Sequence, residues 1–137
     1  MAPTLTAALP MIAVIDRDRV TAYGMVLLLR DWGYDSVVGV SAADIFRRSE
    51  AIGRRLAAIV ADDRDGPTGM ANPTDGSEAA TLARLAQRPI PTILLVSTSV
   101  SDNRDADARV LALPKPVEPN MLRELLRHVT NGDAAQN

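Results

Sequence analysis

Met11-Ile12-Ala13-Val14-Ile15-Asp16-Arg17-Asp18 is a run of apolar residues without polar interruption that breaks off on two acids flanking an arginine. A short continuous apolar run, rather than an alternating one, suits a strand covered on both faces, as in the interior of a parallel sheet. The same form recurs at Leu56-Ala57-Ala58-Ile59-Val60-Ala61, closing on Asp62-Asp63, and at Thr92-Ile93-Leu94-Leu95-Val96, closing on Ser97-Thr98-Ser99. It recurs again at Val110-Leu111-Ala112-Leu113, closing on Pro114-Lys115-Pro116, while Ser36 to Val40 is a β-branched run.

Between these runs lie segments with helical spacing. Gly24, Met25, Leu28, Leu29 and Trp32 predict one helix face, stopped by Gly33, and Ser41 caps a helix expected to reach about Ala51. Gly66 to Gly76 carries too many glycines and prolines for regular structure, and Ser77 then starts a helix to about Ala86. Ser101 to Arg109 has little apolar stripe and predicts only a short fourth helix. The last helix places Met121, Leu122, Leu125, Leu126 and Val129 inward and Arg123, Glu124 and Arg127 outward. Strands alternating with helices predict an α/β fold, a doubly wound five-stranded parallel sheet with about five helices. The folded unit is expected over residues 11–130, between flexible segments at 1–10 and 131–137.

Composition narrows the function. The 137 residues include no cysteine and one histidine, His128, which excludes thiolate zinc sites, disulfides, cysteine nucleophiles and any mechanism needing two imidazoles from this chain. With 15 Lys plus Arg against 17 Asp plus Glu, the net charge of −2 gives no general attraction to nucleic acid or anionic lipid. Aromatic residues make up 3%, namely Tyr23, Trp32, Tyr34 and Phe46, so the core is aliphatic and no base-stacking platform exists. Neither a nucleic acid nor a membrane is expected as a partner. No apolar stretch approaches the ~20 residues of a membrane span, Met1 to Pro10 lacks the pattern of a signal peptide, and a cytoplasmic location is expected.

In an open parallel sheet, ligands bind outside the carboxyl ends of the strands. That edge receives Asp16, Arg17 and Asp18 from the first strand, Asp62 and Asp63 from the third, Ser97 or Thr98 from the fourth and Lys115 from the fifth. Taken singly, each has a plain structural role: a strand-end acid caps a helix, and a lysine between prolines sits in a loop. Taken together, crowded carboxylates call for a hard divalent cation with oxygen ligands, most naturally Mg²⁺. A hydroxyl and a lysine opposite them suit the oxygens of a phosphoryl group.

With these residues in place the chain resembles the receiver domains of two-component response regulators and hybrid histidine kinases, over about Met11 to Val129. The resemblance is carried by Ile12 to Asp16, Leu27 to Tyr34, Ala58 to Asp62, Pro91 to Ser97 and Leu113 to Val117, of which the Lys-Pro pair at Lys115 is the most specific. It implies a flavodoxin-like receiver fold and a phosphorelay function: Asp62 takes a phosphoryl group from the phosphohistidine of a histidine kinase or histidine phosphotransfer domain. The interaction surface toward a downstream protein partner then changes. By the same resemblance Asp16, Asp62 and the backbone carbonyl of Arg64 hold Mg²⁺, and Ser97 and Lys115 hold phosphoryl oxygens. Such a module catalyses only its own phosphorylation and dephosphorylation. Leu113 to Pro119 looks like the receivers of hybrid kinases; with no DNA-binding segment or kinase domain after Val129, a stand-alone or an excised receiver is expected.

The chain departs from that family's pattern in four places. The second of two adjacent acids is replaced by Arg17, so that either Asp18 substitutes as a metal ligand or the guanidinium occupies part of the acid pocket and weakens Mg²⁺ binding. The loop from Asp62 to Gly76 is longer than usual, with Asp75-Gly76 matching the start of the third helix. The switch hydroxyl falls at Ser97, one position later than the family's, where Val96 stands. The switch aromatic is absent at Ala112, which removes the usual coupling between hydroxyl and aromatic rotamer. Arg17 and Ala112 keep a second reading open, a phosphorylation-independent pseudo-receiver acting as an interaction module. Asp16-Arg17-Asp18 also resembles the Asp-x-Asp of haloacid-dehalogenase-type phosphatases, but there the acid pair follows the hydroxyl and lysine instead of preceding them. A Rossmann nucleotide site is disfavoured because no glycine-rich turn follows the first strand.

Overall fold

The computed structural model describes residues 9–62, 78–96 and 110–135. In chain order these form β1 (Met11–Ile15), α1 (Arg19–Asp31), β2 (Asp35–Gly39), α2 (Ala42–Ile52), β3 (Leu56–Asp62), α3 (Glu78–Ala86), β4 (Thr92–Val96), β5 (Val110–Pro114) and α4 (Pro119–Ala135). All five strands run parallel in one sheet with order β2-β1-β3-β4-β5. The expected architecture is therefore present, with four helices among the described residues. The helix expected over Ser101 to Arg109 and the loop expected over Gly66 to Gly76 lie outside them, as does Ser77.

Side chains alternate across a strand, so each apolar run feeds two cores. Ile12, Val14, Ala58, Val60, Ile93, Leu95 and Leu113 pack against α1 and α4 through Met25, Leu29, Leu122 and Leu126. Met11, Ala13, Ile15, Ile59 and Ala61 pack on the other side against α2 and α3 through Ala42, Ile45 and Leu82. Burial on both faces is why β1 reads as an unbroken apolar run instead of an alternating one.

Element boundaries follow from capping. Asp18 caps α1, so that helix starts at Arg19, ahead of its apolar stripe, and its buried residues are Ala22, Met25 and Leu29, while Gly24, expected inward, is exposed. Ser41 caps α2 by accepting from the Asp44 N–H at 3.2 Å, and Gly53 closes it in the left-handed region at φ +78, where a side chain would be strained. Glu78 at the start of α3 reaches back to accept the Ala42 N–H at 2.6 Å, tying the two helices of that layer. β2 begins one residue earlier than expected because Asp35 N donates to Pro10 O at 2.9 Å and pairs with Met11. In α4, Leu122 and Leu126 are fully buried but Met121, expected inward, is 51% exposed. The contact arc is set by the four-residue spacing of the two leucines, and Met121 falls outside it. That helix also continues past Asn131 to Ala135.

Candidate functional site

The strand order reverses between β1 and β3, since β1 is followed to one side by β2 and to the other by β3. A crevice forms at such a point because successive crossovers leave on opposite faces. Ile15 pairs with Ala61, so Asp16 and Asp62 follow each other across adjacent strands at that position. Asp16 lies two residues after Val14, Asp62 two after Val60 and Lys115 two after Leu113; all three preceding residues pack in the α1–α4 layer. With a strand period of two, the two acids and the lysine leave the sheet in the same phase.

Both acids are buried, Asp62 at 4% exposure and Asp16 at 6%. Lys115 reaches Asp62 across 53 positions of sequence, with its Nζ donating to Asp62 Oδ1 at 2.7 Å. Its own backbone N–H donates to Val96 O at 2.8 Å, which anchors the residue at the end of β4. A carboxylate without such a cation would carry a large desolvation cost. Asp16 is held from two sides: its N–H donates to Gly39 O at 3.1 Å and its Oδ1 accepts from the Asp18 N–H at 2.8 Å.

The remaining expected residues separate clearly. Arg17 is exposed. Asp18 is the N-cap of α1: its Oδ1 accepts from Val20 N at 3.0 Å and Thr21 N at 3.4 Å, and its Oδ2 from Thr21 Oγ1 at 2.9 Å. Ala112 is half-buried on β5 opposite Leu94. Val96, at the position of the family's hydroxyl one residue before the expected Ser97, is buried and pairs with Pro114. Ser97, Arg64 and Asp63 lie outside the described residues. Gly39 and Thr21 join the site through contacts with Asp16 and Asp18; the local cue in the sequence was an N-cap acid, Asp18, placed just after a strand.

Among the described residues, no group of three or more acidic or histidine side chains is placed to hold a metal ion. Mg²⁺ does not demand one, since it keeps several waters and is commonly bound by one or two carboxylates plus phosphate oxygens. The hard oxygen donors of Asp16 and Asp62 suit that cation in kind.

No protein-family model matches the sequence, and no curated protein matches it significantly. Solved structures do match. A response regulator receiver domain protein from Clostridium thermocellum has a TM-score of 0.70 at 16% identity, covering 94% of this chain and all of its own. A receiver protein from Burkholderia phymatum has a TM-score of 0.66 at 21% identity, covering 89% and 95%. A chemotaxis protein from Vibrio cholerae has a TM-score of 0.68 at 17% identity, covering 89% and 99%. The chain has the fold of response regulator receiver domains. No helix among the described residues is long and apolar enough to cross a membrane.

Proposed function

We propose that this chain is a phosphorelay receiver in which Asp62 accepts a phosphoryl group from a phosphohistidine on a histidine kinase or phosphotransfer protein. The observation that carries the reading is the buried Asp62 carboxylate paired with Lys115 at 2.7 Å in the crevice where the strand order reverses. An Asp62 oxygen attacks phosphorus, the P–N bond to imidazole breaks, and the imidazole leaves with the bonding electron pair and is protonated. Asp16 and Asp62, with the Arg64 carbonyl, would hold Mg²⁺, which would supply charge neutralisation at the phosphoryl oxygens. Lys115 then exchanges its carboxylate contact for a phosphoryl oxygen. Ser97 is the proposed second phosphoryl ligand; its support is its place two residues after Leu95, which packs in the α1–α4 layer.

The acyl phosphate brings roughly −1.5 to −2 charge, by analogy with phosphorylated hydroxyls. With Ala112 in place of an aromatic, the change is read out through Lys115 and the backbone at the end of β4, not through a ring rotamer. One observation favours the second reading, an interaction module that works without phosphorylation. Arg17 stands where a second acid is expected, and Asp18 is committed to capping α1.

Titration of the protein with Mg²⁺ and beryllofluoride, followed by NMR, separates the two. The phosphoacceptor reading predicts shifts at Asp62, Lys115 and Val96 that require Mg²⁺ and that Arg17→Asp strengthens. An unperturbed wild-type spectrum refutes it in favour of the interaction module.

A further inference from the structure

Asp18 sits one residue beyond the position at which a second metal-binding acid is expected, and the geometry assigns it a different task. Its backbone is extended, at φ −86 and ψ 108, and its carboxylate is engaged by the first turn of α1 through the Val20 and Thr21 N–H groups and the Thr21 hydroxyl. This is N-cap geometry, with one oxygen satisfying backbone donors that the helix itself leaves unpaired. To reach a cation the side chain would surrender those bonds. The same cap fixes the Asp18 backbone, whose N–H donates to Asp16 Oδ1 at 2.8 Å. The chain of contacts thus runs from the end of α1 through Asp18 to the buried Asp16.

We propose that Asp18 is a positioning residue of the acid crevice: it does not bind the cation but, through its cap on α1, holds the Asp16 carboxylate in place for it. The part concerning the cation rests on the receiver reading above; the orientation of Asp16 does not. With Arg17 in place of the second acid, one carboxylate after β1 is left for the cation and that of Asp18 becomes its support. Support of this kind matters in metal sites, because a ligand free to rotate must be ordered when the metal binds.

Asparagine and alanine at position 18 discriminate the two roles. Asparagine is as good an N-cap as aspartate but carries no charge, so Asp18→Asn retains the support and removes the anionic ligand; Asp18→Ala removes both. In metal-free protein, Asp18→Ala is expected to speed hydrogen exchange of the residue-18 amide about tenfold and to move the Asp16 carboxyl carbon resonance. Asp18→Asn should leave both near their wild-type values. Ser41→Ala, which removes the equivalent cap from α2, should disturb neither and so controls for general loss of stability.

In a Mg²⁺ titration, Asp18→Ala should weaken binding about tenfold while Asp18→Asn stays within about threefold of wild type. Equal weakening by both variants means that Asp18 is itself a ligand and overturns the proposal. So does an Asp16 resonance that ignores Asp18→Ala. Wild-type protein that fails to bind Mg²⁺ refutes the phosphoacceptor reading instead, and the metal-free comparison still decides the role of Asp18.

Discussion

Asp62 and Lys115 show how much one contact can ask of two residues. The carboxylate is 3% exposed and the lysine side chain 26%, so the pair is screened by water only from the lysine side. Removing one partner of a buried pair is costly because the other charge is left uncompensated. Lys115→Ala is expected to lower stability by about 2–3 kcal/mol, near the low end for such pairs because Lys115 keeps some solvent. Adding Asp62→Asn should recover most of that loss, and denaturant melts of the four proteins in the cycle measure it. A loss unchanged by Asp62→Asn would mean that Lys115 stabilises through its packing alone. At this scale the sequence was informative about residue type and weak about partner. Acids at strand ends are visible as such, but that Asp18 turns into the α1 cap depends on local backbone angles that an Asp-Arg-Asp triplet does not display.

The junction between β2 and α2 illustrates the scale of elements. A Cβ built on Gly39 would lie 2.7 Å from Asp44 Oδ2 and 3.0 Å from Ile45 Cδ1, so a side chain at position 39 would have to displace the ends of both side chains of α2. Gly39→Ala should cost about 1–3 kcal/mol in a thermal or denaturant melt, with less cost in an Asp44→Ala background, where the closest atom, Asp44 Oδ2, is gone and Ile45 Cδ1 remains. Equal cost in both backgrounds would place the strain elsewhere. Burial works against ionisation of Asp44, but the Arg48 hydrogen bond and charge, the Val40 N–H and Arg47 outweigh it and hold the carboxyl below its ordinary 3.8. A depressed carboxyl contributes stability that is complete above its unfolded pKa and lost as pH falls through the folded one. Asp44→Asn should therefore flatten the acid side of the stability curve below about pH 4; an unchanged acid limb would contradict this. Strands and the Ser41 cap were legible here because they rest on contiguous residues. The face of α4 was less so: apolar residues at 121, 122, 125, 126 and 129 outnumber those the sheet has room to cover, and only tertiary packing decides that Met121 is left out.

At the scale of the whole molecule, two aliphatic cores hold one sheet and thereby fix the crevice at its edge. Leu122 is fully buried where α4 meets the sheet, and Leu122→Ala is expected to cost about 3 kcal/mol, or roughly 10 °C in melting temperature. A change of less than about 1 kcal/mol would mean that α4 is not part of the cooperative unit. The parallel sheet was legible in the alternation of apolar runs and helices, whereas its order β2-β1-β3-β4-β5 was implied only by the resemblance to receiver domains. The meeting of Asp16, Asp62 and Lys115 follows from that order and not from any local signal, because the three lie in separate segments that only the sheet brings together. In the proposed function, this meeting is what makes Asp62 a phosphoryl acceptor. The most direct measurement of that role is intact-protein and peptide mass spectrometry after incubation with Mg²⁺ and a phosphorylated histidine phosphotransfer protein. The expected result is a single hydroxylamine-sensitive, base-labile phosphoryl increment on the peptide containing Asp62, absent from Asp62→Asn and not formed when Mg²⁺ is chelated beforehand. An increment on another residue, or none under conditions in which the donor remains phosphorylated, would contradict it.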